Sequence, residues 1–109
     1  MAKLIHKVEH CHTMADVRRH IDALDERIVA LIAERSGYMT QAACIKQSAD
    51  QVHDQARIDF IVERVKAMAA AQGAPEAVIE AAYRAMIDAS IEFERGEFKR
   101  LRPQPSQEG

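Results

Sequence analysis

The feature that most constrains this chain is a long helical pattern between Met14 and Lys46. Apolar side chains recur there at steps of four and three residues, at Val17, Ile21, Leu24, Ile28, Leu31, Tyr38, Ala42 and Ile45. This spacing predicts one long helix that packs against other helices over about four heptads. Arg35 interrupts the pattern, because it occupies a position where an apolar residue is expected. A charge in such a seam is costly unless an anionic group meets it.

The length of this helix predicts self-association. At 1.5 Å per residue, about 32 residues span roughly 48 Å. A compact chain of 109 residues has a radius of gyration of only about 13 Å. A single chain is therefore too small to cover the seam along its full length, and we expect a second copy of the chain to cover the rest.

Two shorter helices are predicted after the long one. The polar segment 48–54 has no helical period and is predicted to be a loop that ends at Asp54, the N-cap of a second helix. Gly73 ends that helix, and a third runs from about Pro75 to Lys99. The fold class is therefore all-α, with three helices per chain. The expected organisation is a flexible N-terminal arm, one helical domain and a disordered tail, at residues 1–13, 14–100 and 101–109.

Composition supports this class and excludes several functions. The chain is 48% hydrophobic and 29% charged, with 5% aromatic residues and no Trp, which is typical of a soluble helical protein. Its net charge of −2 argues against nucleic-acid binding. Cys11 and Cys44 form no disulfide framework, and no apolar run is long enough for a signal peptide or a membrane span. A cytoplasmic protein with no membrane partner is expected.

The N-terminal arm contains the only sequence cluster suggestive of a metal site. His6, His10, Cys11 and His12 are close in sequence, but neighbouring ligands on a mobile arm lack the closed geometry that a metal centre requires. We therefore predict a solvated arm, no bound metal and no cofactor.

Four polar residues occupy positions where the helical patterns call for apolar ones: Arg35, Lys46, Ser90 and Glu94. Arg35 and Lys46 are eleven residues apart, almost three whole turns, so they point the same way about 16 Å apart along the axis. Each residue alone has an ordinary structural explanation: Lys46 at a helix end, or an ion pair between Arg35 and Glu94. Together on the inner faces of a small bundle, they favour a ligand site.

Two further arginines extend this interpretation. Arg18 lies about 25 Å from Arg35 along the helix, so it would reach the pocket of a partner chain rather than its own. Arg57 is near the start of the second helix, where the helix terminus itself favours anions. The implied ligand is a small dianion held by several cations, without a metal or a nucleophilic Cys or Ser.

Three stretches together resemble the all-helical class of chorismate mutases. They read ADVRRHIDALDERIVALIAERSGYMTQAACIK, DQARIDFIVERV and AMIDASIEFE, and the resemblance extends over residues 14–98. It implies an intertwined homodimer of three-helix chains with two active sites. By position, Arg18 would enter the partner's site, Arg35 would bind a substrate carboxylate, and Lys46 would contact a carboxylate and the ether oxygen.

The resemblance also implies roles for residues of the second and third helices. Arg57 and the backbone around Asp54 would contact substrate, and Ser90 and Glu94 would occupy binding positions on the third helix. The implied reaction is the rearrangement of chorismate to prephenate in aromatic amino acid biosynthesis. It is pericyclic and needs only a bound reactive conformer and stabilised charge on the ether oxygen, a role for Lys46 and Glu94.

The chain departs from the family pattern at two positions. Many members carry Gln at position 94, and a Glu donates a hydrogen bond to the ether oxygen only when protonated. Many mutases also have Glu where this chain has Ile58, whereas the related isochorismate pyruvate-lyases, which form salicylate and pyruvate, have an apolar residue. Mutase activity is our first expectation and lyase activity the second. A third alternative is a non-catalytic helical dimerisation module, which would gain stability from Arg35→Leu.

Overall fold

The computed structural model describes residues 8–102, and these form an all-helical chain. Helix α1 comprises Met14–Ile45, α2 comprises Gln55–Gln72, and α3 comprises Glu76–Leu101. The prediction of three helices, with the first very long, is confirmed. Residues 1–7 of the predicted arm and 103–109 of the predicted tail lie outside the described residues.

The helix termini follow the capping residues. The Thr13 hydroxyl accepts a hydrogen bond from the Asp16 N–H at 3.1 Å, and the Asp54 carboxylate accepts one from the Arg57 N–H at 3.1 Å. Gly73 has a φ of 69°, in the left-handed region that glycine adopts without strain. These two hydrogen bonds and the conformation of Gly73 confirm the predicted start of α1 and both predicted ends of α2.

The segment between α1 and α2 differs from the prediction. A short 3₁₀ helix, Ala49–Val52, forms where a plain loop was expected. The side-chain oxygen of Gln51 accepts hydrogen bonds from the backbone N–H groups of Gln47 and Ser48, at 2.7 and 3.2 Å. Val52 is 4% exposed and anchors the turn against the rest of the chain. A turn this short needs only one buried residue and one side-chain cap for its stability. It therefore produces no periodic pattern in the sequence.

Helix α3 is central, because it packs against both α1 and α2. Helices α1 and α3 run in the same direction, because successive positions along α1 contact successive positions along α3. The contacts are Arg35 with Ser90, Thr40 with Glu97, and the Cys44 carbonyl with Arg102. The apolar core is small and lies in this part of the molecule. Its buried side chains are Ala43, Val52, Val62, Val65, Ala69 and Ile87.

The N-terminal half of α1 projects from this core. Every residue from 21 to 34 is exposed. This half of the helix has an exposed apolar ridge in which between 49% and 63% of the surface of each residue is accessible. The ridge consists of Ile21, Leu24, Ile28 and Leu31. The radius of gyration is 18.6 Å, against about 13 Å for a compact chain of this size. The predicted excess length of α1 is therefore observed, and the dimer that would cover the ridge stays a prediction.

Two further features of residues 8–102 bear on function. No helix there is long and apolar enough to cross a membrane. Within the same residues, no group of three or more His, Cys, Asp or Glu side chains is arranged to hold a metal ion. His10 and His12 stack edge to face, with ring centroids 4.8 Å apart, and Cys11 and Cys44 are free thiols. His6 lies outside the described residues.

Candidate active site

A short ion pair joins Lys46, the residue that directly follows α1, to Glu94 of α3. The Lys46 Nζ lies 2.6 Å from Glu94 Oε2, and the two side chains are 27% and 5% exposed. Glu94 is the one charged residue within 8–102 that belongs to the buried class. A hydrogen-bonded ion pair satisfies its carboxylate, which would otherwise be costly to bury. Lys46 follows the last residue of α1, and its side chain reaches back along the helix to meet Glu94.

A second contact, nearer the middle of α1, joins Arg35 and Ser90. The Arg35 Nη1 donates to Ser90 Oγ at 3.2 Å, and both residues are half-buried. The structural alternative in which Arg35 pairs with Glu94 is not observed in the described residues, where Arg35 contacts Ser90 and Glu94 contacts Lys46. Ser90 is a neutral partner, so the guanidinium keeps its positive charge uncompensated by any carboxylate within salt-bridge distance in the described chain. Arg35, which interrupts the apolar pattern of α1, thus places a cation beside α3.

The two contacts lie on one face of α3. Ser90 and Glu94 are four residues apart, about 6 Å along a helix, and they meet cations from positions 35 and 46 of α1. Two cations, a hydroxyl and a carboxylate therefore converge on one stretch of the interface between α1 and α3. These are four of the eight residues predicted from the sequence.

A third polar contact, between Thr40 and Glu97, extends this line of contacts toward the C-terminal end of α3. The Thr40 hydroxyl donates to Glu97 Oε1 at 2.8 Å. The Arg100 guanidinium donates to both oxygens of Glu97, at 2.7 and 3.0 Å. The hydrogen bond from Arg100, followed by that from Thr40, lowers the pKa of Glu97 from 4.5 to about 2. Glu97 therefore remains ionised throughout the physiological range and links α3 to α1.

Arg102, just past the end of α3, donates hydrogen bonds to the backbone at the end of α1. Its Nη2 donates to the Cys44 carbonyl at 2.9 Å and to the Lys46 carbonyl at 2.6 Å. Its guanidinium lies 3.9 Å from the centroid of the Phe98 ring. A surface concavity beside it is lined by Gln47, Ser48, Phe98, Lys99 and Arg102.

The other predicted site residues lie apart from these contacts. Arg18 is exposed on the projecting half of α1, and its role in the site of a partner chain stays a prediction. Asp54 caps α2, and the Arg57 guanidinium lies 5.2 Å from the Phe60 ring centroid. Ile58 is half-buried on the first turn of α2. None of these four has a polar side-chain contact with Lys46 or Glu94 in the described residues.

Sequence reasoning missed the roles of Thr40, Glu97 and Arg102. Thr40 and Glu97 lie beside the apolar stripes rather than within them, so periodicity does not single them out. Arg102 fell within the predicted tail. The available signal was Phe98 four residues earlier, since an aromatic and an Arg at this spacing on a helix stack on each other.

One comparison with known proteins gives a match for this chain. The family model described as chorismate mutase type II matches residues 17–95, which include all eight predicted site residues. A search of curated proteins found no match. Because the family model spans most of the chain, including both helices that carry the paired polar residues, the protein belongs to the chorismate mutase type II family.

Proposed function

We propose that this protein is a chorismate mutase that converts chorismate to prephenate. The observation that carries the proposal is the pairing of Arg35 with Ser90 and of Lys46 with Glu94 along one interface. Membership of the chorismate mutase type II family supports a reaction of this class. The substrate is a dianion, and two cations separated along α1 suit its two carboxylates.

The reaction requires no nucleophile. In chorismate, the ether C–O bond breaks while a new C–C bond forms, and no proton is gained or lost. The chain has to hold the enolpyruvyl group over the ring and stabilise the negative charge that develops on the ether oxygen. Arg35 would anchor one carboxylate and fix the conformer.

Lys46 would act at the ether oxygen. An ammonium group has three N–H donors, so Lys46 can keep its bond to Glu94 and still donate to a substrate oxygen. Removing one such donor typically costs about 2.7–4 kcal/mol of barrier. Glu94 would add a second donor when it is protonated, and Ser90 would help to orient Arg35.

The remaining contacts would come from α2 and from a second chain. Arg57 and the backbone around Asp54 would contact the substrate from the start of α2, and Ile58 would border the ring. Arg18 would enter the site of the partner subunit in a homodimer. The exposed apolar ridge of α1 supports this arrangement, because a dimer would bury it. No cofactor is required.

A lyase is the second candidate, and Ile58 is the observation that favours it. An apolar residue at this position resembles isochorismate pyruvate-lyases, which use the same cations. The experiment is to incubate the purified protein with chorismate and isochorismate in parallel, following prephenate, salicylate and pyruvate. Prephenate formation supports the proposal, salicylate from isochorismate favours the lyase, and turnover of neither contradicts both.

The matched variant for this experiment is Ile58→Glu. If Ile58 determines substrate choice, this variant should raise the preference for chorismate over isochorismate. Arg64→Glu, at an exposed position on the same helix, is the control for the change in charge. An unchanged preference in Ile58→Glu would remove the argument that rests on this residue.

A further inference from the structure

The C-terminal end of α1 has an unusual source of stabilisation. The last carbonyl groups of a helix have no partner within the helix. Many helices satisfy them with a glycine in the left-handed conformation or with a basic residue in the last turn. Neither is present in α1: its last turn contains no basic residue, and Lys46 follows it in an extended conformation, with ψ of 144°.

Arg102, the residue that follows α3, supplies a cation to the C-terminal end of α1. It donates to the carbonyls of Cys44 and Lys46, at 2.9 and 2.6 Å, and also approaches the Phe98 carbonyl at 3.5 Å. Its guanidinium lies on the Phe98 ring, which restricts its orientation. Arg102 is half-buried and makes no salt bridge with a carboxylate in the described residues. Its donors are therefore directed at the backbone of α1.

Lys46 is contacted at its side chain by a residue of α3 and at its backbone by the residue that follows α3. Glu94 binds the ammonium group, and Arg102 binds the backbone carbonyl. Glu94 and Arg102 are eight residues apart in the sequence, and both side chains extend to Lys46, one to its ammonium group and the other to its backbone carbonyl. The position of the ammonium group therefore depends on two contacts, of which only one involves the side chain.

We propose that Arg102 is a positioning residue that sets the location of the Lys46 ammonium group in the active site. This inference rests on the proposed function, in which Lys46 acts at the ether oxygen. Arg102 contacts the backbone beside Lys46 and acts on the reaction through it. A displacement of about 1 Å in such a group can cost about 10²-fold in rate.

The first test is a double-mutant cycle in the full chain. Arg102→Gln is expected to lower kcat by about ten- to a hundredfold with a smaller change in KM, and Arg102→Lys to lose less because it retains the charge. In a Lys46→Ala background, Arg102→Gln should have little further effect, because the ammonium group that Arg102 positions is gone. Arg95→Gln, which removes an exposed Arg on α3 that pairs with Glu92, is the control and should retain wild-type kcat. An equal loss of kcat in both backgrounds would overturn the proposal.

The second test needs no substrate. In protein labelled at lysine Nζ with ¹⁵N, the Lys46 resonance can be assigned with Lys46→Arg. Arg102→Gln should shift this resonance and Arg95→Gln should not, with circular dichroism establishing that both variants are folded. An unshifted resonance in folded Arg102→Gln would also overturn the proposal. A protein that shows the shift but turns over neither chorismate nor isochorismate would retain the positioning role and lose the proposed function.

Discussion

Lys46 and Glu94 form a salt bridge of 2.6 Å in which the carboxylate side chain is only 5% exposed. The pair joins the residue after α1 to the C-terminal half of α3, and both members are assigned to the same substrate atom in the proposed mechanism. A carboxylate that accepts from Lys46 does not donate to an ether oxygen, so the protonation of Glu94 in the substrate complex determines how much it contributes.

The first prediction concerns the pH dependence of activity. If protonated Glu94 donates to the ether oxygen, kcat should fall as pH rises, because the donor form is progressively lost. Glu94→Gln keeps a donor at every pH and should flatten the profile. Glu92→Gln, on the exposed face of α3, is the control and should retain the wild-type profile. A sloping profile in Glu94→Gln that matches the wild type would contradict the donor role.

The second prediction separates activity from stability at Arg35. Arg35→Leu restores the apolar seam of α1, so its stability in urea should equal or exceed that of the wild type. Its kcat/KM for chorismate should nevertheless fall by about 10²- to 10³-fold, because a carboxylate anchor is lost. Ser90→Ala, which leaves the guanidinium in place, should lose less. Full activity in Arg35→Leu would contradict the anchor role of Arg35. A gain in stability together with a wild-type protein that turns over neither substrate would favour the non-catalytic dimerisation module.

The third prediction tests the sharing of Arg18 between subunits. Arg18→Ala and Lys46→Ala should each be nearly inactive alone. When the two variants are unfolded together and refolded, half of the dimers are mixed and each contains one intact site, so about a quarter of wild-type activity should return. Size-exclusion chromatography with light scattering gives the oligomeric state of each sample. No recovery from a mixture shown to contain mixed dimers would place Arg18 in its own chain's site or outside the site.

The fourth prediction concerns acid stability. Because the Arg100 and Thr40 hydrogen bonds lower the pKa of Glu97 from 4.5 to about 2, the folded protein binds fewer protons than the unfolded chain between these values. The stabilisation is complete above about pH 4.5 and is lost as pH falls toward 2. Glu97→Gln should make the free energy of unfolding less pH-dependent in this window, and Thr40→Val should do so in part. Urea titrations at several pH values measure this, and identical slopes in Glu97→Gln and the wild type would count against it.

Much of the fold follows from local signals. The helix predicted from the apolar spacing of α1, the cap Asp54 and the stop at Gly73 are each determined by a few neighbouring residues, and all appear where predicted. The boundaries differ by one or two residues: Lys46 lies just beyond α1, Pro75 just before α3, and α3 continues to Leu101. Such shifts are ordinary at helix ends, where a final turn depends on contacts from outside the helix.

The site was predictable only where polar residues interrupt an apolar pattern. Arg35, Ser90 and Glu94 stand out for this reason, and Lys46 because it lies three turns from Arg35 on the same side. Which cation meets which acceptor was not predictable, because the register between α1 and α3 depends on tertiary packing. Arg102 shows the same limit, since its targets are backbone carbonyls 58 and 56 residues away.

The projecting half of α1 has a consequence for how this protein folds. Every buried residue among 8–102 lies in the second half of α1 or after it, so within the described residues no core stabilises residues 21–34. Protection of their backbone amides against hydrogen exchange should then be graded along a single continuous helix, low near Ile21 and high near Ala43. In a dilute sample this difference should be largest, since the proposed dimer would cover the exposed apolar ridge of the first half of the helix. Helix α1 is a single secondary-structure element, but we expect its two halves to differ in local free energy of opening.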